Sequence, residues 1–256
     1  MIATLFRTLP PLVVSAFGRV WHLTPRFEPV WWREGRLAAL EILSHVQDRD
    51  SGAPLSPEIF FSQLSLQEQS RVLRWQLEVL MLMAPWCASR DVLVSLNITR
   101  PLAILSLSDP KIQEALFMLA PRVRIEINED FLPTGAKPRQ DPLLPDLKQL
   151  APLWLDDFGA GSTGLSWLLS GLFETLKIDR HLLEALPARP GGEGFLAGLC
   201  GLAHGAGLKV IAEGVADQSL LAFVRNTQVD ACQGWLWPGV GLDQLYPLPE
   251  WLPETS

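Results

Sequence analysis

The sequence predicts an α/β protein, a (β/α)8 TIM-like barrel in which one strand runs antiparallel to the others. Short apolar runs alternate with longer amphipathic ones from about Phe27 to the end, as strands linked by helical crossovers require. Eight runs qualify as strands: Phe27–Trp32, Leu37–Leu43, Val92–Ile98, Val123–Ile127, Leu153–Asp156, Thr175–Ile178, Leu208–Ala212 and Val229–Cys232. The 256 residues match the size of one such barrel, and a 48% hydrophobic content supplies its core.

The segment before the first strand, Met1 to His22, reads as a leader that packs on the domain. Arg7, Pro10, Pro11 and Arg19 interrupt its apolar stretch well short of a membrane span, and the proline pair breaks any signal-peptide core. The first two strands are separated only by Arg33-Glu34-Gly35-Arg36, too short for a helical crossover, so they should form a hairpin. That hairpin makes one strand antiparallel.

Helix starts are well marked downstream. Ser56-Pro57-Glu58 places a capping serine before a proline at the first helical position. Ser65 with Glu68 has capping-box spacing ahead of a long helix toward Met83, and Asp109-Pro110 opens another through Leu119. Pro133 to Pro145 and Pro187 to Gly194 read as loops. Neither divides the chain into halves that could each bury a core, so one domain, residues 23–250 with a short tail at 251–256, is expected.

A net charge of −7 argues against nucleic acid or an anionic membrane as a partner, since both select basic surfaces. Cys87, Cys200 and Cys232 are odd in number and lack metal spacing, which fits buried reduced thiols in a cytoplasmic protein. His22, His45, His181 and His204 are scattered and read as surface or packing residues. Trp31, Trp32, Trp235 and Trp237 are expected to line the barrel or its rim as packing residues.

Polar residues recur at the C-terminal ends of the strands, where barrels build their sites. They are Glu41, Asn97, Glu126, Asp156 with Asp157, Lys177, Glu213 and Gln233. One such residue would be a solvated strand end, but seven consecutive strands so furnished point to a site. Adjacent aspartates repel each other unless a cation holds them, and hard oxygen donors suit magnesium or manganese. Lys177, between Leu176 and Ile178, needs carboxylate neighbours if buried, whether as part of a site or of a structural ion-pair network.

These residues carry a family resemblance. Asp156-Asp157-Phe158-Gly159, Leu176-Lys177-Ile178-Asp179-Arg180, Val210-Ile211-Ala212-Glu213-Gly214-Val215 and Gln233-Gly234, in this order, resemble the signatures of the EAL domain of bacterial cyclic di-GMP phosphodiesterases. Glu41-Ile42-Leu43, Ser95-Leu96-Asn97-Ile98 and Ile125-Glu126-Ile127-Asn128-Glu129 resemble three further motifs, and the likeness spans about Phe27 to Trp237. The resemblance implies a (β/α)8 barrel with one antiparallel strand, in agreement with the hairpin.

It further implies two Mg2+ or Mn2+ ions. Glu41, Asn97, Glu126 and Asp156 would hold one, and Asp156 would bridge to a second held also by Asp157. Two such ions, about 3.5–4 Å apart in two-metal sites, activate water for in-line displacement. Lys177 and Glu213 would position or deprotonate that water, and Gln233 would orient the same hydration shell. Substrate contacts are implied at Leu43, His45 and Glu28. Glu129 is implied to anchor the loop from Gly159 to Gly164, although an exposed strand-end acid is an alternative. That loop is associated in the family with dimerisation and metal retention, which leaves a homodimer open.

The implied activity is hydrolysis of cyclic di-GMP to linear pGpG, which lowers the second messenger and favours motility over attachment and biofilm. Several positions depart from the family pattern: His45 replaces an arginine, Glu28 a glutamine, Ala160 and Ser162 a threonine and a tyrosine, and Ala216 a glutamate. Histidine cannot reproduce a bidentate arginine–phosphate contact, and an ionised carboxylate only accepts hydrogen bonds. These departures keep a second reading open, a weak or inactive member that binds cyclic di-GMP or another protein. A barrel metallohydrolase for another phosphodiester is a third.

Overall fold

Strand pairing closes a barrel from eight strands, and the sequence dictates which one is reversed. The computed structural model describes residues 9–133, 135–161 and 164–252. The elements begin with β1 (Leu12–Ala16), β2 (Arg19–Trp32), β3 (Leu37–Asp48), β4 (Pro54–Leu55), α1 (Pro57–Ser62), α2 (Leu66–Arg90) and β5 (Leu93–Asn97). Next come α3 (Arg100–Ser108), α4 (Pro110–Leu119), β6 (Val123–Ile127), α5 (Leu143–Leu150), β7 (Leu153–Phe158), α6 (Leu165–Leu168) and β8 (Phe173–Ile178). The chain continues through α7 (Arg180–Ala185), α8 (Gly192–Gly205), β9 (Lys209–Ala212), α9 (Gln218–Arg225), β10 (Ala231–Cys232) and β11 (Val240–Gly241).

The sheet runs β2-β10-β9-β8-β7-β6-β5-β3, and β2 pairs again with β3 to close it. β2 is antiparallel to both its barrel neighbours, whereas the other six neighbouring pairs are parallel. The expected hairpin is its cause: Trp32 N–H donates to Arg36 C=O at 2.8 Å, and Gly35 supplies the left-handed residue at φ 93°.

Several boundaries differ from the sequence reading. β2 starts at Arg19 rather than Phe27, and β1 pairs with its first half, so the expected boundary at residue 22 falls inside a strand. Trp21, Leu23 and Phe27 are buried and alternate with His22, Thr24 and Arg26, but Pro25 within the run reads as a strand breaker, which hid the extension. Met1 to Thr8 lie outside the described residues, as do Ser162 and residues 253–256. At the other end Leu252 N–H donates to Gly35 C=O at 2.8 Å.

Ser56 occupies the cap position of α1, yet its side chain makes no capping bond. Ser65 and Glu68 form the reciprocal capping box, and Asp109 caps α4 through the N–H of Lys111 and Ile112. The long helix runs through Pro85 to Arg90, beyond Met83. Both expected loops are shorter than read, since α5 starts at Leu143 and α8 at Gly192. Cys87, Cys200 and Cys232 are buried and free, and burial pushes the Cys232 thiol up to about 12.

Inward-facing positions alternate along each strand and stack in layers. The layer toward the C-terminal ends holds Glu41, Asn97, Glu126, Asp156, Lys177, Glu213 and Gln233. Two residues back on the same strands lie Ala39, Ser95, Arg124, Trp154, Thr175, Ile211 and Ala231. The polar set is thus one rung of the barrel, presented to one mouth.

Candidate active site

Lys177 sits at the centre of that rung with only 1% of its side chain exposed. Its Nζ lies 3.1 Å from Glu41 Oε2, 2.7 Å from Glu126 Oε2, 3.0 Å from Asp156 Oδ1 and 2.7 Å from Glu213 Oε1. Burial alone would depress an ammonium, but Asp156, Glu126, Glu213 and Glu41 outweigh it and hold Lys177 well above its ordinary value. An ammonium has three N–H donors, so four carboxylates compete for them.

The competition is visible in the carboxyls. Burial, with Glu41 and Asp156 beside it, pushes Glu126 well above the usual carboxylate range. Burial likewise raises Glu213, and Lys177 offsets this only in part. Glu41 is buried too, yet Lys177, Gln233 and Asn97 together hold it below its ordinary value. Asn97 Nδ2 donates to Glu41 Oε1 at 2.8 Å, and Gln233 Nε2 donates to Glu41 Oε2 at 2.7 Å and to Glu28 Oε2 at 3.2 Å.

The paired aspartates reach the mouth through an irregular backbone. Neighbouring residues of a regular strand point to opposite faces. In β7 the register with β8 shifts between Leu155 and Phe158, and Asp157 adopts φ 56°. Both Asp156 and Asp157 therefore line the mouth, a cavity of about 300 Å³. A non-glycine residue in the left-handed region costs about 1–3 kcal/mol, a strain commonly kept at functional sites. Burial and the adjacent Asp156 push Asp157 up to about 6.

The donor set fits a hard divalent ion. Asp156, Asp157 and Glu213 each offer an oxygen, and the three atoms lie within 4.8 Å of one another. Glu126 Oε1, Asp156 Oδ1 and Gln233 Oε1 are buried and accept no hydrogen bond among the described residues, although Asp156 Oδ1 stands in ion-pair contact with Lys177. Glu41 and Glu126 both face Lys177, but Glu41 already spends its two oxygens on Asn97, Gln233 and Lys177, and Asn97 is exposed. Asn97 and Leu43 also line an apolar cavity of about 420 Å³ between the barrel and α1 and α2.

Glu28 and half-buried Leu43 line the mouth. His45 does not: it lies two residues beyond Leu43 on β3, exposed outside the cavity. Glu129 packs against the loop after the aspartates, where a Cβ on Gly161 would come within 2.0 Å of Glu129 Oε1. Any larger residue at position 161 would push that carboxylate aside. Trp235 lines the mouth at its rim, one of the two places expected of it, and Arg180, to which sequence reasoning gave no role, lines the mouth beside it. The Arg180 guanidinium lies over the Trp235 ring, 5.4 Å from its centroid, and Trp235 is 57% exposed at the rim. Trp31, by contrast, is core at 2% exposed, as expected.

The model of the EAL domain family matches residues 16–238. The chain belongs to the EAL domain family. It is 30% identical over 211 residues to the cyclic di-GMP phosphodiesterase PdeH of Escherichia coli (strain K12), covering 82% of this chain and 80% of PdeH. It is 24% identical over 239 residues to the anti-FlhC(2)FlhD(4) factor YdiV of Salmonella paratyphi B (strain ATCC BAA-1250 / SPB7), covering 92% and 99%. The crystal structure of the EAL-like domain protein YdiV superposes with a TM-score of 0.80 at 23% identity, covering 89% and 96%, a likeness of fold. No helix among the described residues is long and apolar enough to cross a membrane.

Proposed function

We propose that this EAL domain is a divalent-metal-dependent phosphodiesterase that hydrolyses cyclic di-GMP to linear pGpG in the cytoplasm, and so favours motility over attachment and biofilm. One observation carries the reading. Asp156, Asp157 and Glu213 converge at the open side of a carboxylate cluster that Lys177 cannot saturate. Glu41, Asn97, Glu126, Asp156 and Asp157 would hold Mg2+ or Mn2+. Bound ions supply the charge neutralisation and Lewis acidity that let a phosphodiester approach so acidic a mouth.

The chain's own groups do the rest. Glu213, raised by burial, is suited to take a proton from the attacking water as the water oxygen bonds to phosphorus and the ester oxygen departs. Lys177 keeps Glu213 and Asp156 in place around that water. Gln233 fixes Glu41 and Glu28 through its two donated hydrogen bonds. Glu28 and Leu43 would contact substrate at the rim, and Glu129 would anchor the loop after the paired aspartates. The test is incubation of the purified chain with cyclic di-GMP and Mg2+ or Mn2+, followed by chromatography for pGpG.

A second reading, regulation by binding cyclic di-GMP or a protein, is favoured by two observations. His45 lies outside the mouth, so the arginine it replaces has no substitute at that position. The likeness to YdiV, named for an action against a protein complex, covers 92% of the chain. Tight binding of cyclic di-GMP without turnover would select this reading.

A further inference from the structure

The opposite, N-terminal mouth of the barrel is not packed as barrel floors usually are. Layers of Val, Ile and Leu normally fill that end. Here the inward positions of β3 and β10 are Ala39 and Ala231, both fully buried, and a cavity of about 230 Å³ remains beneath them. Its ceiling is Trp154, 3% exposed, whose Nε1 donates to Glu174 Oε1 at 3.0 Å. Its rim carries Trp32 and Lys209, the Lys209 ammonium standing 4.4 Å from the centroid of the Trp32 ring.

Charge at this rim is unbalanced. Glu174 is paired with Arg124, which also donates to the carbonyl of Val123. Lys209 has no carboxylate within ion-pair distance among the described residues, and its side chain is held only by the ring beneath it. A ligand for this cavity therefore needs a flat apolar body to meet Trp154 and the alanines, and one negative charge to meet Lys209. The volume suits it, since an apolar protein cavity of about 150 Å³ holds benzene.

We propose that the N-terminal mouth of the barrel is a second ligand site, taking a small planar aromatic carboxylate with its ring under Trp154 and its carboxylate on Lys209. The site lies at the opposite end of the barrel from the carboxylate mouth, with Trp154 two residues before Asp156 on β7.

The experiment is a saturation-transfer NMR titration of the full chain with indole-3-carboxylate, in chelator so that no divalent ion recruits the carboxylate, and with indole as the uncharged comparison. Saturable binding of indole-3-carboxylate at about 1 mM or tighter is expected for a ligand of this size. Indole, and the Lys209→Gln variant, should each bind about fivefold more weakly, the worth of one partly exposed ion pair. Ala231→Leu fills the cavity and should abolish binding. Its folding is verified by a cooperative thermal transition, and Lys209→Gln, on the rim, decides the matter if that transition is lost. Absence of saturable binding, or binding unchanged in both variants, overturns the proposal.

Discussion

Replacing Lys177 by methionine removes the one cation among four carboxylates while keeping the volume of its stem. The ammonium is 1% exposed and contacts Glu41, Glu126, Asp156 and Glu213 at 2.7–3.1 Å. Removing one partner of a buried ion pair costs about 3–5 kcal/mol, because the remaining charge is left unpaired. For a chain of this size that lowers Tm by about 10 °C. The loss depends on pH. Glu126 and Glu213 already stand well above the usual carboxylate range. A raised carboxyl contributes stability below its unfolded value and loses it as the pH climbs through its folded one, so the deficit of Lys177→Met should be larger near about pH 8 than near about pH 5. Added Mn2+ should raise the Tm of the variant more than that of the wild type, since a bound cation replaces the missing charge. The assay is thermal unfolding in chelator and in Mn2+ at both pH values. A variant as stable as wild type at about pH 8 in chelator would refute the reasoning, because Lys177 would then not be the counter-charge of the cluster.

Burial and Asp156 push Asp157 up to about 6, so the metal-free protein should lose stability as the pH rises from below the unfolded carboxylate value through about 6, and stabilisation by Mn2+ should grow over the same window. Asp157→Asn should flatten that pH dependence in a thermal-shift series. Gly161→Ala places a Cβ against Glu129 Oε1, and should weaken metal affinity by calorimetry while leaving the core's unfolding transition intact. Glu28 is raised by burial and by Glu41, and Glu28→Gln removes that repulsion; a lower KM with kcat retained is expected, and an unchanged KM would show that the carboxylate does not limit substrate grip. His45→Arg, from outside the cavity, should lower KM only if arginine's longer reach brings it to the phosphate.

The barrel was legible because its physical signals are local. Apolar runs bounded by capping residues, and a four-residue link too short for a helix, suffice to order eight strands and reverse one. The outer half of β2 was missed although Trp21, Leu23 and Phe27 alternate with His22, Thr24 and Arg26, because Pro25 in the middle of the run argues against a paired strand. The carboxylate rung could be read from period-two spacing. That Asp156 and Asp157 share the mouth was read from their place at a strand end, but the positive φ and the bulge that turn Asp157 there were not, because nothing in Asp-Asp-Phe-Gly announces them. The stacking of Arg180 on Trp235 was missed for a related reason: it joins the start of α7 to the turn after β10 across the mouth.

The central claim is that this carboxylate mouth hydrolyses a cyclic dinucleotide, and product formation tests it most directly. Purified protein incubated with cyclic di-GMP and Mn2+ should yield pGpG, and the Asp156→Ala protein should yield none while still unfolding cooperatively. Cyclic di-GMP recovered intact at high wild-type concentration in both Mg2+ and Mn2+ would contradict the account.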